Sequence, residues 1–180
     1  MSRRMSGRER FVVVALLLLA FVLRTVDLTR VPPGLHNDEV VDIKITESVA
    51  GGRLAIFFPE DTGAEVLYYY FAAPFLRVFG STVFAMRLPA VFLSMIGMGV
   101  IWALARRLMG PVVSLAALAG FVIVFWTVAF GRIVLHVVME VPLAALAAYC
   151  FWRAWSGGGE KPGFFRKTWF LTGWPIASPA

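Results

Sequence analysis

Val83–Ala105 reads VFAMRLPAVFLSMIGMGVIWALA and is closed by Arg106-Arg107. As a helix at 1.5 Å per residue this stretch rises roughly 34 Å, enough for a bilayer hydrocarbon core of about 30 Å. Arg87, near its start, is its single ionisable residue. The run therefore reads as a membrane-spanning helix. Toward the C-terminus, Pro111–Gly131 and Ile133–Trp152 read as two further spans, the second carrying His136, Glu140 and Pro142. Toward the N-terminus, Val66–Phe79 is apolar and aromatic, but as a helix it rises only about 21 Å. Phe11–Leu28 is a first span with a short core, so Arg24 is expected to snorkel to the outer interface.

Composition agrees. The 180 residues are 59% hydrophobic with mean hydropathy +0.78. Soluble domains hold about 45–50% apolar residues, and here the excess is gathered into long runs. The formal net charge is +6. Basic excess in a membrane protein collects in cytoplasmic loops facing anionic lipid, so membrane lipid is an expected partner. No basic patch with interleaved aromatics lies on a polar segment, and nucleic acid is not an expected partner. The one cysteine, Cys150, permits no internal disulfide. Arg3, Arg4, Arg8 and Arg10 precede the first apolar run in the layout of a signal peptide. Arg24-Thr25-Val26-Asp27 is a poor cleavage site, so an uncleaved anchor is expected.

These runs imply an all-α polytopic membrane protein. Residues 1–10 form a basic cytoplasmic N-terminus, 11–155 a transmembrane module, and 156–180 a basic, glycine-containing, poorly ordered tail. The long first loop, 29–65, holds Asp38, Glu39, Asp42, Glu47, Glu60, Asp61 and Glu65 and is expected outside the cytoplasm. Pro32-Pro33-Gly34 stops the first helix, and Asn37 can cap a juxtamembrane helix from about Asp38 to Ala50. Val40, Val41, Ile43, Ile45 and Val49 suit a helix lying on the membrane surface. If Val66–Phe79 crosses there are five spans; if it does not there are four. Positive-inside counting tips the balance slightly to four, because both basic clusters then face the cytoplasm.

Three constellations can carry chemistry. Asp38-Glu39 could supply a general base or ligate a divalent cation, and Asp38 and Asp42, at i and i+4, share a helical face. The alternative is a helix start that favours acids. Glu65, just before Tyr68-Tyr69-Tyr70, could complete a metal site with Asp38; the alternative is an interfacial aromatic belt. Arg132, His136 and Glu140 fall on one stripe of a helix inside the last span. There a cation could meet a lipid phosphate, or the three could simply pair to permit burial.

The order of features resembles the N-terminal part of a GT-C fold glycosyltransferase, close to dolichyl-phosphate-mannose protein mannosyltransferases and the lipid A aminoarabinose transferase. The resemblance runs from about Phe11 to Trp155. It rests on Pro-Pro-Gly-Leu-His-Asn-Asp-Glu at 32–39, Gly-Gly-Arg-Leu at 51–54, Phe-Phe-Pro-Glu at 57–60 and Leu-Tyr-Tyr-Tyr at 67–70. Phe-Gly-Ser at 79–81, Ala-Met-Arg-Leu-Pro at 85–89 and Gly-Arg-Ile at 131–133 complete it. It implies a cell-membrane enzyme that moves a sugar, with inversion, from a polyprenyl-phosphate donor to an extracytoplasmic acceptor. Asp38 is the implied catalytic carboxylate, with Glu39 beside it. Arg132 is the best phosphate-binding cation that the resemblance leaves; Asp38 and Glu65 remain, on their residue types alone, candidate ligands of a Mg or Mn ion.

Two departures stand out. Ala64 and Val66 flank Glu65 where relatives often carry a basic residue and a proline. Relatives are also longer, so the chain resembles a fragment that would work with a C-terminal half or a partner chain. A reading from another class is a non-catalytic polytopic protein, either a transporter fragment or an assembly subunit. A transporter would place paired charges near mid-membrane; here the carboxylates cluster at the interface.

Overall fold

The computed structural model describes residues 5–61 and 66–156, and every regular element among them is helical. The helices are α1 (Gly7–Thr25), α2 (Asn37–Ala50), α3 (Val66–Phe79), α4 (Val83–Met109), α5 (Pro111–Ile123), α6 (Phe125–Phe130) and α7 (Glu140–Ser156). Single 3-10 turns stand at Pro59–Asp61 and His136–Met139. The stretches Val83–Met109 and His136–Trp155 are long and apolar enough to cross a bilayer, whereas Val66–Phe79 and Pro111–Ile123 are shorter. The 156–180 tail lies, but for the backbone of Ser156, outside the described residues, as does Glu65.

α4 is the spine, packed by α1, α3, α5 and α7. Contacts along it give each neighbour a direction. At one end Arg106 pairs with Glu9, its Nη2 lying 3.1 Å from Oε2, and the Arg107 guanidinium sits 4.9 Å from the Tyr149 ring centroid. Midway, Gly97 faces Pro142. Toward the other end Arg24 Nε donates to Ser94 Oγ at 2.8 Å. α1 therefore runs antiparallel to α4, and α7 runs parallel to it. The N-terminus of α1 and the C-termini of α4 and α7 meet at one end, which gathers Arg8, Arg10, Arg106, Arg107 and Arg153.

The opposite end carries a lobe. α2 lies beside α3 in parallel: Tyr69 OH donates to Asp42 Oδ1 at 2.9 Å, and eight residues on Arg77 Nε donates to Ala50 O at 2.9 Å. α3 then turns through Gly80, at φ +71°, into α4. Ring contacts Phe79–Phe84 and Phe75–Phe92, with centroids 6.0 and 5.6 Å apart, make this an antiparallel hairpin over the first part of α4. Ile43, Ile45 and Val49 bury against Tyr68, Tyr69, Ala72 and Ala73. The apolar face of α2 is thus covered by α3, where the sequence suggested that lipid would cover it.

Burial is inverted relative to a water-soluble protein. Phe11, Leu18, Phe151 and Trp155 are each more than 60% exposed, while Arg24 and Arg87 are fully buried. An apolar surface around a charged interior is the pattern that lipid selects. Arg24 does not snorkel outward as expected. It turns inward because the span Pro111–Gly131 is broken at Val124, whose backbone is extended (φ −63°, ψ 125°). A broken helix frees carbonyls that lipid cannot hydrate. Phe121 O takes hydrogen bonds from Thr127 Oγ1 at 2.6 Å and Arg24 Nη2 at 3.1 Å, and Thr127 O takes one from Arg24 Nη2 at 3.2 Å.

The last span also begins later than expected. Residues 131–135 are irregular, the 3-10 turn follows, and α7 starts only at Glu140. Gly131 explains part of this. A Cβ there would stand 2.8 Å from Ser94 Oγ and 3.0 Å from Arg24 Nε, two groups bonded to each other and unable to retreat. Gly131→Ala is expected to destabilise the fold by about 1–3 kcal/mol through overpacking. Thermal unfolding in detergent, with Gly120→Ala as an uncrowded control, checks this.

Candidate functional site

The site is built on the first turn of α2. Asp38, Glu39 and Asp42 are close in sequence and lie within about 100° of one another round the helix, yet their burial differs. Glu39 and Asp42, three apart, share the inward face and are each 1% exposed; Asp38 points out and is exposed. Asp38 and Asp42 keep the i, i+4 relation of a regular helix, but it is Glu39 and Asp42 that the fold buries together.

Both inner carboxylates grip the segment between α6 and α7. Glu39 Oε1 accepts from Val134 N–H at 2.9 Å, and Glu39 Oε2 accepts from His36 N–H at 3.0 Å, closing the helix start. Asp42 Oδ2 accepts from His136 N–H at 3.0 Å. Asp42 Oδ1 accepts from Tyr69 OH at 2.9 Å and lies 3.2 Å from His136 Nδ1. With Asp42 ionised, that last contact calls for a proton on Nδ1. Two carboxylates three residues apart thus hold alternate backbone amides of an extended strand-like segment. Burial pushes the Asp42 carboxyl above the ordinary aspartate range, partly offset by the hydrogen bond from Tyr69 and by His136.

Arg87 supports Glu39 from behind, with Nε 3.7 Å from Oε1. Its Nη1 donates to Leu28 O and Pro32 O, each at 3.0 Å, and its Nη2 to Gly34 O at 2.7 Å. The guanidinium thereby shapes the linker that leads into Asp38. Arg132 does similar work: Nη1 donates to Leu23 O at 2.5 Å, Nη2 to Val26 O at 2.5 Å, and Nε to Val31 O at 3.2 Å. The stripe expected of Arg132, His136 and Glu140 does not form, because 131–135 is not helical. Arg132 turns to the end of α1, His136 to Asp42, and Glu140 is exposed at the start of α7.

Among the described residues no three His, Cys, Asp or Glu side chains converge as a metal site. Glu39 and Asp42 are engaged with hydrogen-bond donors, and Glu65 is outside the described residues, so of the expected ligand pair only Asp38 is in view. Tyr69, Arg24 and Arg87 were not singled out as site residues, and Asp42 was named only for the face it shares with Asp38. An arginine inside an apolar run was the available signal for Arg24 and Arg87.

Asp42 yields a pH prediction. The folded protein holds the Asp42 proton more tightly than the unfolded chain does. Stability therefore falls as pH rises from the ordinary carboxylate range through the raised folded value. Asp42→Asn should abolish that part of the slope. At neutral pH it should cost about 1–3 kcal/mol, since one oxygen cannot serve every donor that now converges there. Unfolding midpoints of both proteins across the acidic range check it.

The dolichyl-phosphate-mannose-protein mannosyltransferase family matches residues 64–175, more than half of the chain. The match begins after Asp38 and takes in α3 to α7. No curated protein and no solved structure matches the chain. The helical bundle, its lipid-type surface and the extent of this match agree, and the chain belongs to the dolichyl-phosphate-mannose-protein mannosyltransferase family, of GT-C type.

Proposed function

We propose that the chain is a membrane glycosyltransferase in which Asp38 is the base, acting on a sugar carried by a polyprenyl phosphate. One observation carries this reading: Asp38 is an accessible carboxylate on a helix turn whose neighbours, Glu39 and Asp42, are both locked into the interior. A base must be held in place and yet reach its substrate. Glu39 is then a positioning residue, since its oxygens are committed to backbone amides.

The reaction follows from that placement. An acceptor hydroxyl gives its proton to the Asp38 carboxylate as its oxygen bonds to the anomeric carbon. Attack from the face opposite the phosphate breaks the bond to the phosphate oxygen and inverts the centre. The departing lipid phosphate keeps the electron pair and is already a good leaving group, so it needs no proton; it needs positive charge nearby. Arg132 serves here through its field. Its N–H groups hold carbonyls, but the guanidinium stays charged, and Arg24, Arg87 and Arg132 outnumber the buried Glu39 and Asp42.

The placement in the bilayer belongs to the same proposal. α1, α4, α5 with α6, and α7 make four crossings. α3 stays in the outer lobe with α2, and the arginine-rich end faces the cytoplasm. The Arg106–Glu9 and Arg107–Tyr149 contacts support this, since they bring the basic clusters to one end.

Two outcomes are expected. With radiolabelled polyprenyl-phosphate sugars as donors, Asp38→Asn should lower transfer by about 10²-fold or more while leaving the unfolding midpoint unchanged. Unchanged transfer would remove Asp38 from the chemistry. In a Cys150→Ala background, Lys44→Cys should react with an impermeant maleimide in intact cells and Met109→Cys only after lysis. The reverse pattern would overturn the orientation.

A further inference from the structure

The outer loop after α2 ends in a built apolar tip. Leu54 is 79%, Ile56 93% and Phe57 60% exposed, whereas Phe58, next in sequence, is 1% exposed. This segment is fixed at several points. Tyr70 OH accepts from Ala55 N–H and donates to Ala55 O, both at 2.8 Å. The Phe58 ring packs edge-on to Tyr69 with centroids 5.6 Å apart. Arg53 Nη1 binds Glu60 Oε1 at 2.6 Å, and the Arg53 guanidinium lies 5.2 Å from the Phe58 ring centroid. Arg53, Ala55 and Phe58 are thus anchored while Leu54, Ile56 and Phe57 are held outward. A contiguous exposed apolar patch of this kind marks a contact surface, where single exposed apolar residues do not.

What covers it follows from its level in the molecule. Phe58 touches Tyr69, Tyr69 bonds Asp42, and Asp42 holds His136 N–H. A few residues earlier Arg132 holds the carbonyls of Leu23 and Val26, the outer end of α1. The loop base is therefore close above the level at which the apolar surface of the bundle ends. Leu67, 52% exposed on the first turn of α3, continues that surface toward the loop. Arg53 is the only charged residue of the 53–58 segment, and it is neutralised by Glu60.

We propose that Leu54, Ile56 and Phe57 insert into the headgroup–acyl boundary of the outer leaflet as a second membrane contact. They tether the lobe that bears Asp38 to the lipid surface. The inference rests on the four-crossing placement proposed above and is independent of the transferase chemistry. An apolar tip beside the interface gains from entering it, and aromatic and aliphatic side chains are the ones that settle there.

The test uses the full chain with Cys150→Ala in phosphatidylethanolamine–phosphatidylglycerol liposomes. Spin labels are placed singly at Ile56→Cys and Phe57→Cys, with Leu18→Cys as the lipid control and Lys44→Cys as the water control. Collision with oxygen, which partitions into lipid, is compared with collision with a water-soluble nickel chelate. Labels at 56 and 57 should follow the Leu18 label, favouring oxygen. If they follow the Lys44 label, the tip stands in water and the proposal fails. If they are immobilised and shielded from both reagents, protein covers the tip and the proposal also fails. If the Leu18 and Lys44 labels themselves exchange character, the bilayer placement fails, which the control positions report separately from the tip.

Discussion

Backbone carbonyls without partners are the main electrostatic cost at the end of this bundle beside α2 and α3, and three buried arginines meet it. Arg24 serves the carbonyls opened by the break between α5 and α6. Arg87 serves those of the linker from Leu28 to Gly34, and Arg132 those where α1 ends. In lipid such groups have no water to turn to, and each left unpaired costs several kcal/mol, of order a protein's whole stability margin. A guanidinium suits the task because its N–H groups fan out in a plane and can gather carbonyls from separate chain segments. The arginines join α1, the linker, α4 and the 131–139 segment into one rigid corner.

That corner needs negative charge to balance it, and α2 supplies it. Glu39 stands 3.7 Å from Arg87, and Asp42 lies one helical turn further on. Beside these contacts, the two carboxylates accept hydrogen bonds from the backbone amides at 36, 134 and 136. The balance is therefore spread through hydrogen bonds, which tolerate burial better than an isolated charge pair does. Locking the inner face of α2 has a consequence on its outer face. Asp38 rides on a turn that cannot rotate, and its direction is set by groups it never touches.

How much of this could be read in advance depends on the range of the interaction. The bounds of α3 were plain, Val66 to Phe79, because an apolar run between polar neighbours is a local signal. α2 was nearly so: it begins at Asn37, one residue before the expected start, and ends at Ala50. The break at Val124 was hidden, since no proline or glycine stands there and the gain comes from Arg24, a hundred residues away in sequence. The irregular stretch from Gly131 to Leu135 was hidden for the same reason. Glu39 claims its Val134 amide, Asp42 claims the His136 amide that follows it, and its glycine is required by the pair Arg24–Ser94. Reading the last span as one helix put Arg132, His136 and Glu140 on a shared stripe; in the fold Arg132 turns to the end of α1, His136 to Asp42, and Glu140 is exposed.

By itself the sequence determined the helical class, the apolar character of the surface, the clustering of arginines and the acidic start of α2. These follow from composition and spacing along the chain, where hydrophobicity and helix geometry act locally. Only the tertiary structure decided that Glu39 and Asp42 turn inward while Asp38 faces out, and that Arg24 points into the bundle. It also decided that α3, and not lipid, covers α2. Those outcomes depend on which carbonyls and amides the fold leaves without local partners, and a buried charged side chain goes where they are.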